Sequence, residues 1–238
     1  MISLDECDAC NERFSVGCEL SLINLVSLFR SLHGLRGKGG QKTLTGKNFT
    51  LHPQKGFHIE YDGTIDPDEN IDKLEMKLEF SESLIPQDVY RCLVKFIISV
   101  VDHSELDFLN QTIQWVNRDF DAAQLPRIAV LQAANFLKES PFLIYYRLKN
   151  NGSMPYLIGE FHYADMVYVF IVPFCLKDNV DFTNEVSYNE YWRKFNIRSV
   201  QEWSMKDFSS FEPIPMQVNL NIEGMKFGEN AFVKGVEE

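Results

Sequence analysis

The sequence predicts an α+β fold, with an antiparallel sheet packed against two or more helices. Apolar residues recur at helical spacing in segments 22–32, 89–100 and 106–116. Strand-like segments joined by turn residues lie together between positions 142 and 174 instead of alternating with helices. With 238 residues, of which 45% are hydrophobic, the chain is long enough to bury a sizeable core.

The first predicted helix has apolar residues at the spacing of one buried face, from Leu22 to Leu32, and Gly34 is expected to end it. The glycine-rich segment 34–40 then predicts a loop. Strand-like pieces around 43–51 and 57–61 indicate a hairpin. We therefore predict a first unit, residues 1–61, and an α+β domain over residues 62–238.

The α+β domain is predicted to begin with a half-buried strand, because apolar and charged residues alternate from Leu74 to Phe80. Pro86 suits the first turn of a helix whose apolar stripe leaves Arg91 and Lys95 on another face. Ser104 with Asp107 has the spacing of a capping box for the next helix.

Three further strands are predicted between 142 and 174, with turns at Asn151-Gly152 and Ala164-Asp165. The continuously apolar run 167–172 predicts a central strand, and alternation over 218–222 predicts the last one. Region 188–211 is expected to be helical or irregular. Its aromatic residues suit either a core or a surface for a protein partner.

Charge is distributed unevenly along the chain. The net charge of −11 excludes a protein that coats nucleic acid with its whole surface. Segment 20–59, here called the basic strip, has no Asp or Glu. Its six cations are Arg30, Arg36, Lys38, Lys42, Lys47 and Lys55. We expect them to contact phosphates, with Phe49, His52 and Phe57 as stacking surfaces, unless they only neutralise the acidic body.

The expected location is the cytoplasm, without a membrane partner. No run approaches the roughly 20 apolar residues that span a bilayer, and the N-terminal segment is acidic where a secretory signal is basic. Five cysteines, an odd number, do not indicate a disulfide framework. Cys7 and Cys10 have the spacing of half a zinc knuckle, but a structural zinc site needs four ligands.

The stretch from Leu4 to Ser15, LDECDACNERFS, resembles the second half of the zinc-knuckle motif of bacterial and phage HNH endonuclease-like proteins. The basic segment 36–40 and the segment 86–95 are similar to regions that follow this motif in the family. The resemblance covers most of the chain. It implies that residues 1–61 hold a small remnant of a ββα-metal module and that 62–238 form the accessory domain.

The resemblance also implies a function. Asn11 matches the last residue of the family motif, while the family's catalytic histidine would lie upstream of Met1. We therefore expect a truncated or degenerate nuclease-family protein that binds DNA or RNA and does not cleave it alone. Zinc could bind at Cys7 and Cys10 if a second chain or protein partner completes the site. A metal such as Mg²⁺ is expected only at a completed nuclease site.

Two other functions stay open. The chain could be a protein-interaction subunit of a larger assembly, without a nucleic-acid role. It could also be a self-sufficient metal-dependent nuclease, because Asp66, Glu75 and Lys77 have the pattern of an acid followed by an E-x-K strand. Alternating charge is also typical of the solvent face of any half-buried strand.

Overall fold

The computed structural model describes residues 8–36, 40–53, 58–62, 73–132, 138–148, 152–196 and 202–223. The α-helices are α1 (Asp8–Val16), α2 (Cys18–Leu32), α3 (Pro86–Ile98), α4 (Asn110–Val116) and α5 (Glu185–Phe195). The strands are β1 (Leu44–Thr45), β2 (Phe49–Leu51), β3 (Ile59–Tyr61), β4 (Lys73–Leu84), β5 (Ile128–Gln132), β6 (Lys138–Arg147), β7 (Leu157–Ala164), β8 (Met166–Ile171), β9 (Ser204–Lys206) and β10 (Ile214–Glu223). This content of helices and antiparallel sheets confirms the predicted α+β class.

The strands form three antiparallel sheets within the described part of the chain. One sheet has the order β1-β2-β3, a second pairs β10 with β4, and the third has the order β6-β7-β8-β5-β9. The predicted central strand is β8, which lies between β7 and β5. Strands β5 and β9, which complete one side of this sheet, were not predicted from the sequence.

Helix α3 lies at the centre of the molecule. Its first residue is Pro86, whose missing N–H is not needed in a first turn, and Val89, Leu93 and Ile97 are fully buried. The polar face is covered as well, so Arg91 and Lys95 are buried. The sequence period correctly placed Arg91 and Lys95 outside the apolar stripe of α3. Their burial could not be predicted from it, because it results from the packing of α2 and α4 against this face.

The next helical segment begins differently from the prediction. The capping residue is Asp102, whose carboxylate accepts hydrogen bonds from the Ser104 N–H and hydroxyl. The chain then forms a 3-10 helix from His103 to Leu109 before α4. The predicted Ser104–Asp107 capping box is therefore wrong, because Ser104 already lies inside the helix that Asp102 caps.

Hydrophobic residues pack on both faces of the five-stranded sheet. In β7, Leu157 and Phe161 belong to a first cluster with α2, α3 and α4, whereas Ile158 belongs to a second cluster. This division follows from the alternation of side chains along a strand. The second cluster includes Tyr188 and Tyr191 of α5. Much of the aromatic region at 188–211 is therefore core.

Residues before position 62 pack into the first cluster. Leu22, Val26 and Leu28 of α2 are buried there with Phe49 and Leu51 of β2. The division into 1–61 and 62–238 stays a prediction, because packing alone does not show which segment folds independently. The remnant of a ββα-metal module also stays a prediction. Among the helices in the described ranges, none is long and apolar enough to cross a membrane.

Candidate functional site

The basic strip runs along α2 and continues through β1 and β2. Arg30 lies in the last turn of α2, and Arg36, Lys42 and Lys47 are exposed on the segments that follow. Helix α2 ends where Gly34 adopts a positive φ of 59° and the Leu35 N–H donates to the Arg30 carbonyl at 2.9 Å. The predicted end of the helix is confirmed. Lys38 and Lys55 lie outside the described residues.

The turn that carries Lys47 is held against β4. The Lys47 N–H donates to the Glu79 carbonyl at 2.7 Å, and the Asn48 amide donates to the Lys77 carbonyl at 2.8 Å. A Cβ at Gly46 would lie 2.4 Å from the Glu79 carbonyl oxygen, too close for any other residue without a shift. The lysine is therefore presented from an anchored turn rather than from a loose loop.

Most described cations outside the basic strip are paired with a carboxylate, with the exceptions of Arg13, Arg193 and Lys206, whereas those of the strip are not. Within the described ranges, Arg30, Arg36, Lys42 and Lys47 have no carboxylate within 4.0 Å. In the body, eight cations do form such pairs: Lys77, Arg91, Lys95, Arg118, Arg127, Arg147, Lys177 and Lys194. The four described cations of the strip are thus not neutralised by direct pairing with described carboxylates of the body.

The predicted stacking surface is wrong at Phe49. This ring is only 3% exposed and packs edge-on against Phe80, with ring centroids 5.1 Å apart. Phe49 faces the core because it lies on the side of β2 opposite His52 and Thr50. Phe57 is outside the described residues. His52 belongs instead to a cluster of polar side chains.

A cavity of about 380 Å³ lies between α2 and the β6–β7 edge of the five-stranded sheet. Its lining is mainly apolar and includes Leu22, Val26, Leu44, Phe96, Phe142 and Phe161. Arg30 and Lys42 of the basic strip also line it. The cavity therefore combines an apolar interior with two cations, an arrangement suited to an apolar group that carries negative charge.

The predicted HNH remnant is only partly covered by the structure. Cys7 lies outside the described residues. The backbone of Cys10 and Asn11 lies in α1, but their side chains are outside the description. The half zinc site and the family role of Asn11 therefore stay predictions.

The alternative set of Asp66, Glu75 and Lys77 also stays a prediction. Asp66 is outside the described residues, and Glu75 lies on β4 with its side chain outside the description. Lys77 is exposed, and its ammonium lies 3.5 Å from the Glu79 carboxylate on the same strand. This local pair accounts for Lys77 without a metal.

Sequence reasoning missed a cluster of His52, His58 and Glu60 at the β2–β3 hairpin. The Glu60 Oε1 atom lies 3.3 Å from His52 Nε2 and 3.5 Å from His58 Nε2. The adjacent imidazoles, His52 first, lower the pKa of Glu60. The available signal was two histidines on either side of a predicted turn, with a glutamate two residues after the second.

The body holds a second polar cluster around Glu105. Its carboxylate accepts hydrogen bonds from the Tyr156 hydroxyl and, at 2.8 Å, from Arg147, while Lys177 donates to the Tyr156 hydroxyl at 2.9 Å. The Tyr156 hydrogen bond is the main reason that the pKa of Glu105 is lowered. The Glu105 carboxylate is neutralised by the two cations Arg147 and Lys177. The cluster therefore has a structural role, and no ligand is needed to account for it.

A third polar cluster lies on β7 and β6. The Glu160 carboxylate accepts from the Tyr146 hydroxyl at 2.8 Å and lies 2.5 Å from His162 Nε2, while Phe142 stacks on the His162 ring at 4.0 Å. His162 lowers the pKa of Glu160. This arrangement holds a carboxylate in its ionised form beside a buried imidazole.

Comparison with known proteins identifies no relative. No protein-family model, curated protein or solved structure matches the chain. The function must therefore be inferred from the residues and their geometry.

Proposed function

We propose that this protein binds DNA or RNA through the basic strip, as a degenerate member of the HNH endonuclease family that does not cleave nucleic acid by itself. The observation that supports the proposal is the lack of a carboxylate partner, within the described ranges, for Arg30, Arg36, Lys42 and Lys47. Phosphate binding depends on positive charge that can replace counterions. Cations that are not already paired within the protein meet this condition.

The proposed contact is with the nucleic-acid backbone. Phosphate contacts position a protein on nucleic acid, whereas base edges specify sequence. Lys42 and Lys47 are exposed and have long, flexible side chains that act as point charges. The net charge of −11 confines such binding to the strip, because the rest of the chain repels phosphate.

The family resemblance extends the proposal to metals and partners. Cys7 and Cys10 would form half of a zinc knuckle, and a second chain or protein partner would supply the remaining ligands. Asn11 would complete a Mg²⁺-dependent site only if that partner also supplied the histidine. A cytoplasmic location suits this proposal, because Cys18, Cys92 and Cys175 are free thiols.

A gel shift at two salt concentrations tests the proposal. We expect the full chain to bind short DNA or RNA at about 50 mM salt and to lose most of that affinity at about 200 mM. The double variant Lys42→Glu/Lys47→Glu should bind at least about tenfold more weakly. Its log–log salt slope on duplex DNA should decrease by roughly 2, because about 0.9 is lost per phosphate contact.

The matched control is Arg193→Glu/Lys206→Glu, which changes the net charge equally at two exposed cations of α5 and β9. We expect this variant to retain most of the affinity. Equal weakening in both variants would attribute binding to net charge rather than to the strip. Absence of binding at low salt would contradict the proposal.

The second candidate is the protein-interaction subunit. Val16, Leu20 and Ile23 are exposed apolar residues on consecutive turns at the α1–α2 junction, a pattern typical of a contact surface. This surface lies next to the helix that bears Cys10 and Asn11. A chain that completed the zinc site could therefore also cover these residues.

A further inference from the structure

We propose that His52, His58 and Glu60 form a binding site for a divalent transition-metal ion of the zinc class, with one coordination position open to solvent. This inference does not depend on nucleic-acid binding, and its ligands differ from Cys7 and Cys10. The reasons are the placement of the three side chains, their distances and a buried imidazole nitrogen without a well-aligned hydrogen bond.

The β2–β3 hairpin places the three side chains on one face. Thr50 pairs with Glu60 and Leu51 with Ile59, and the His52 N–H then donates to the His58 carbonyl at 2.9 Å. Because side chains alternate along a strand, His52, His58 and Glu60 point to the same side. Leu51 points to the other side and is buried in the core, which anchors the hairpin.

The distances match those of a metal site. Zinc bonds to imidazole nitrogen and carboxylate oxygen are about 2.0–2.2 Å long, so ligand atoms of a tetrahedral site lie about 3.3–3.6 Å apart. The Glu60 oxygen lies 3.3 Å from one imidazole nitrogen and 3.5 Å from the other. The potential ligand atoms of all three residues lie within 4.8 Å of one another. The two imidazoles would need to approach each other by at most about 1.5 Å to surround an ion.

His52 Nε2 provides the third reason. This atom is buried, and its nearest partner, the Glu60 carboxylate at 3.3 Å, does not meet hydrogen-bond geometry. A buried polar atom with a poorly aligned partner costs free energy, and a bond from nitrogen to metal would reduce that cost. An ion pair between Glu60 and one histidine accounts for one imidazole beside this carboxylate. It does not account for the second imidazole beside the same oxygen atom.

The chemistry of the ligands defines the ion. Two neutral imidazoles and one carboxylate suit zinc and neighbouring first-row ions better than Mg²⁺ or Ca²⁺, which prefer oxygen. The side chains of His58 and Glu60 are 46% and 62% exposed, so solvent can reach the ion. Three protein ligands with an accessible fourth position are typical of zinc sites that bind water or a ligand.

Equilibrium dialysis of the full chain against Zn²⁺ tests the site. A Cys7→Ser/Cys10→Ser background removes the other candidate zinc ligands. In this background we expect one zinc per chain, with at least about tenfold weaker binding after His58→Ala or Glu60→Gln. The matched control is His103→Ala, which removes an exposed histidine outside the cluster and should leave the affinity unchanged.

A second measurement keeps the test independent of folding defects. On addition of Zn²⁺, the ring signals of His52 and His58 in nuclear magnetic resonance spectra should shift, while those of His103 should not. The proposal is overturned if zinc does not bind in the cysteine-free background, or if His58→Ala and His103→Ala bind it equally. Neither outcome bears on the gel shift, so the two proposals can fail separately.

Discussion

Asp178 illustrates how burial changes a single carboxyl group. It follows β8, and its Oδ1 atom accepts a hydrogen bond from the Tyr156 N–H at 2.7 Å. Burial nevertheless raises its pKa to about 6. One hydrogen bond to the carboxylate does not compensate for the water that it loses, so Asp178 is protonated at a higher pH in the folded protein than in the unfolded chain.

The stability of the protein should therefore depend on pH through Asp178. The folded pKa lies above the unfolded value of about 3.9, so ionisation between about pH 4 and pH 6 opposes folding, by up to about 3 kcal/mol. We expect Asp178→Asn to be stabilising by about 1–2 kcal/mol at pH 8, because the amide keeps the acceptor without the charge. The advantage should shrink as the pH falls to about 4.

Urea denaturation at several pH values measures this effect. The control is Asp119→Asn at an exposed position, which should parallel the wild type at every pH. A difference between Asp178→Asn and wild type that does not change between about pH 4 and pH 8 would contradict the assignment.

At the scale of elements, α3 shows how a helix can be buried on its polar face. The Arg91 guanidinium donates to Gln87, Asp88 and Asp121 and to the carbonyls of Trp115 and Phe120. Its flat fork of donors satisfies several buried acceptors at once. The hydrogen bonds to Phe120 and Asp121 thereby hold the segment after α4 against α3.

Removing this side chain should be costly. We expect Arg91→Ala to lower the free energy of unfolding by about 3–5 kcal/mol, because Asp88, which is 2% exposed, loses one of its two cations. Chemical denaturation measures the change. Arg193→Ala on the exposed face of α5 should cost less than about 0.5 kcal/mol. A cost below about 1 kcal/mol for Arg91→Ala would show that the network is not stabilising.

At the scale of the whole molecule, the segment before position 62 shares its core with the body. Leu28 of α2 and Trp115 of α4 are buried in the same cluster, and the Lys95 ammonium of α3 lies 2.6 Å from the Glu19 carboxylate of α2. Such shared packing favours unfolding of the described segments in one cooperative transition.

The tryptophans provide a test of this cooperativity, since all three lie after position 62, at 115, 192 and 203. We expect Leu28→Ala to lower stability by about 2–5 kcal/mol and to shift the fluorescence transition as much as the helical signal. Ile23→Ala, at an exposed position of the same helix, should shift both by less than about 0.5 kcal/mol. An unchanged fluorescence transition in Leu28→Ala would indicate two units that unfold independently.

Much of the fold was predictable because it depends on local rules. The apolar periods of α2 and α3, Pro86 at a helix start and the alternation in β4 and β10 each reflect a pattern within one segment. Strands β5 and β9 were missed because β5 is a short apolar run without alternation and β9 has only three residues, so neither has a distinctive local pattern. The beginning of the helical segment at Asp102 was missed because two nearby residues could serve as caps.

Some features of the candidate site could likewise be predicted from the sequence, whereas others could not. The acid-free basic strip could be recognised without coordinates, since it depends only on charge along the chain, and so could the suggested zinc half-site at Cys7 and Cys10. Tertiary packing was needed to show that Phe49 is core, that the described cations of the strip lack carboxylate partners, and that His52, His58 and Glu60 converge. Composition and spacing act within a segment, whereas burial and proximity depend on which segments pack together.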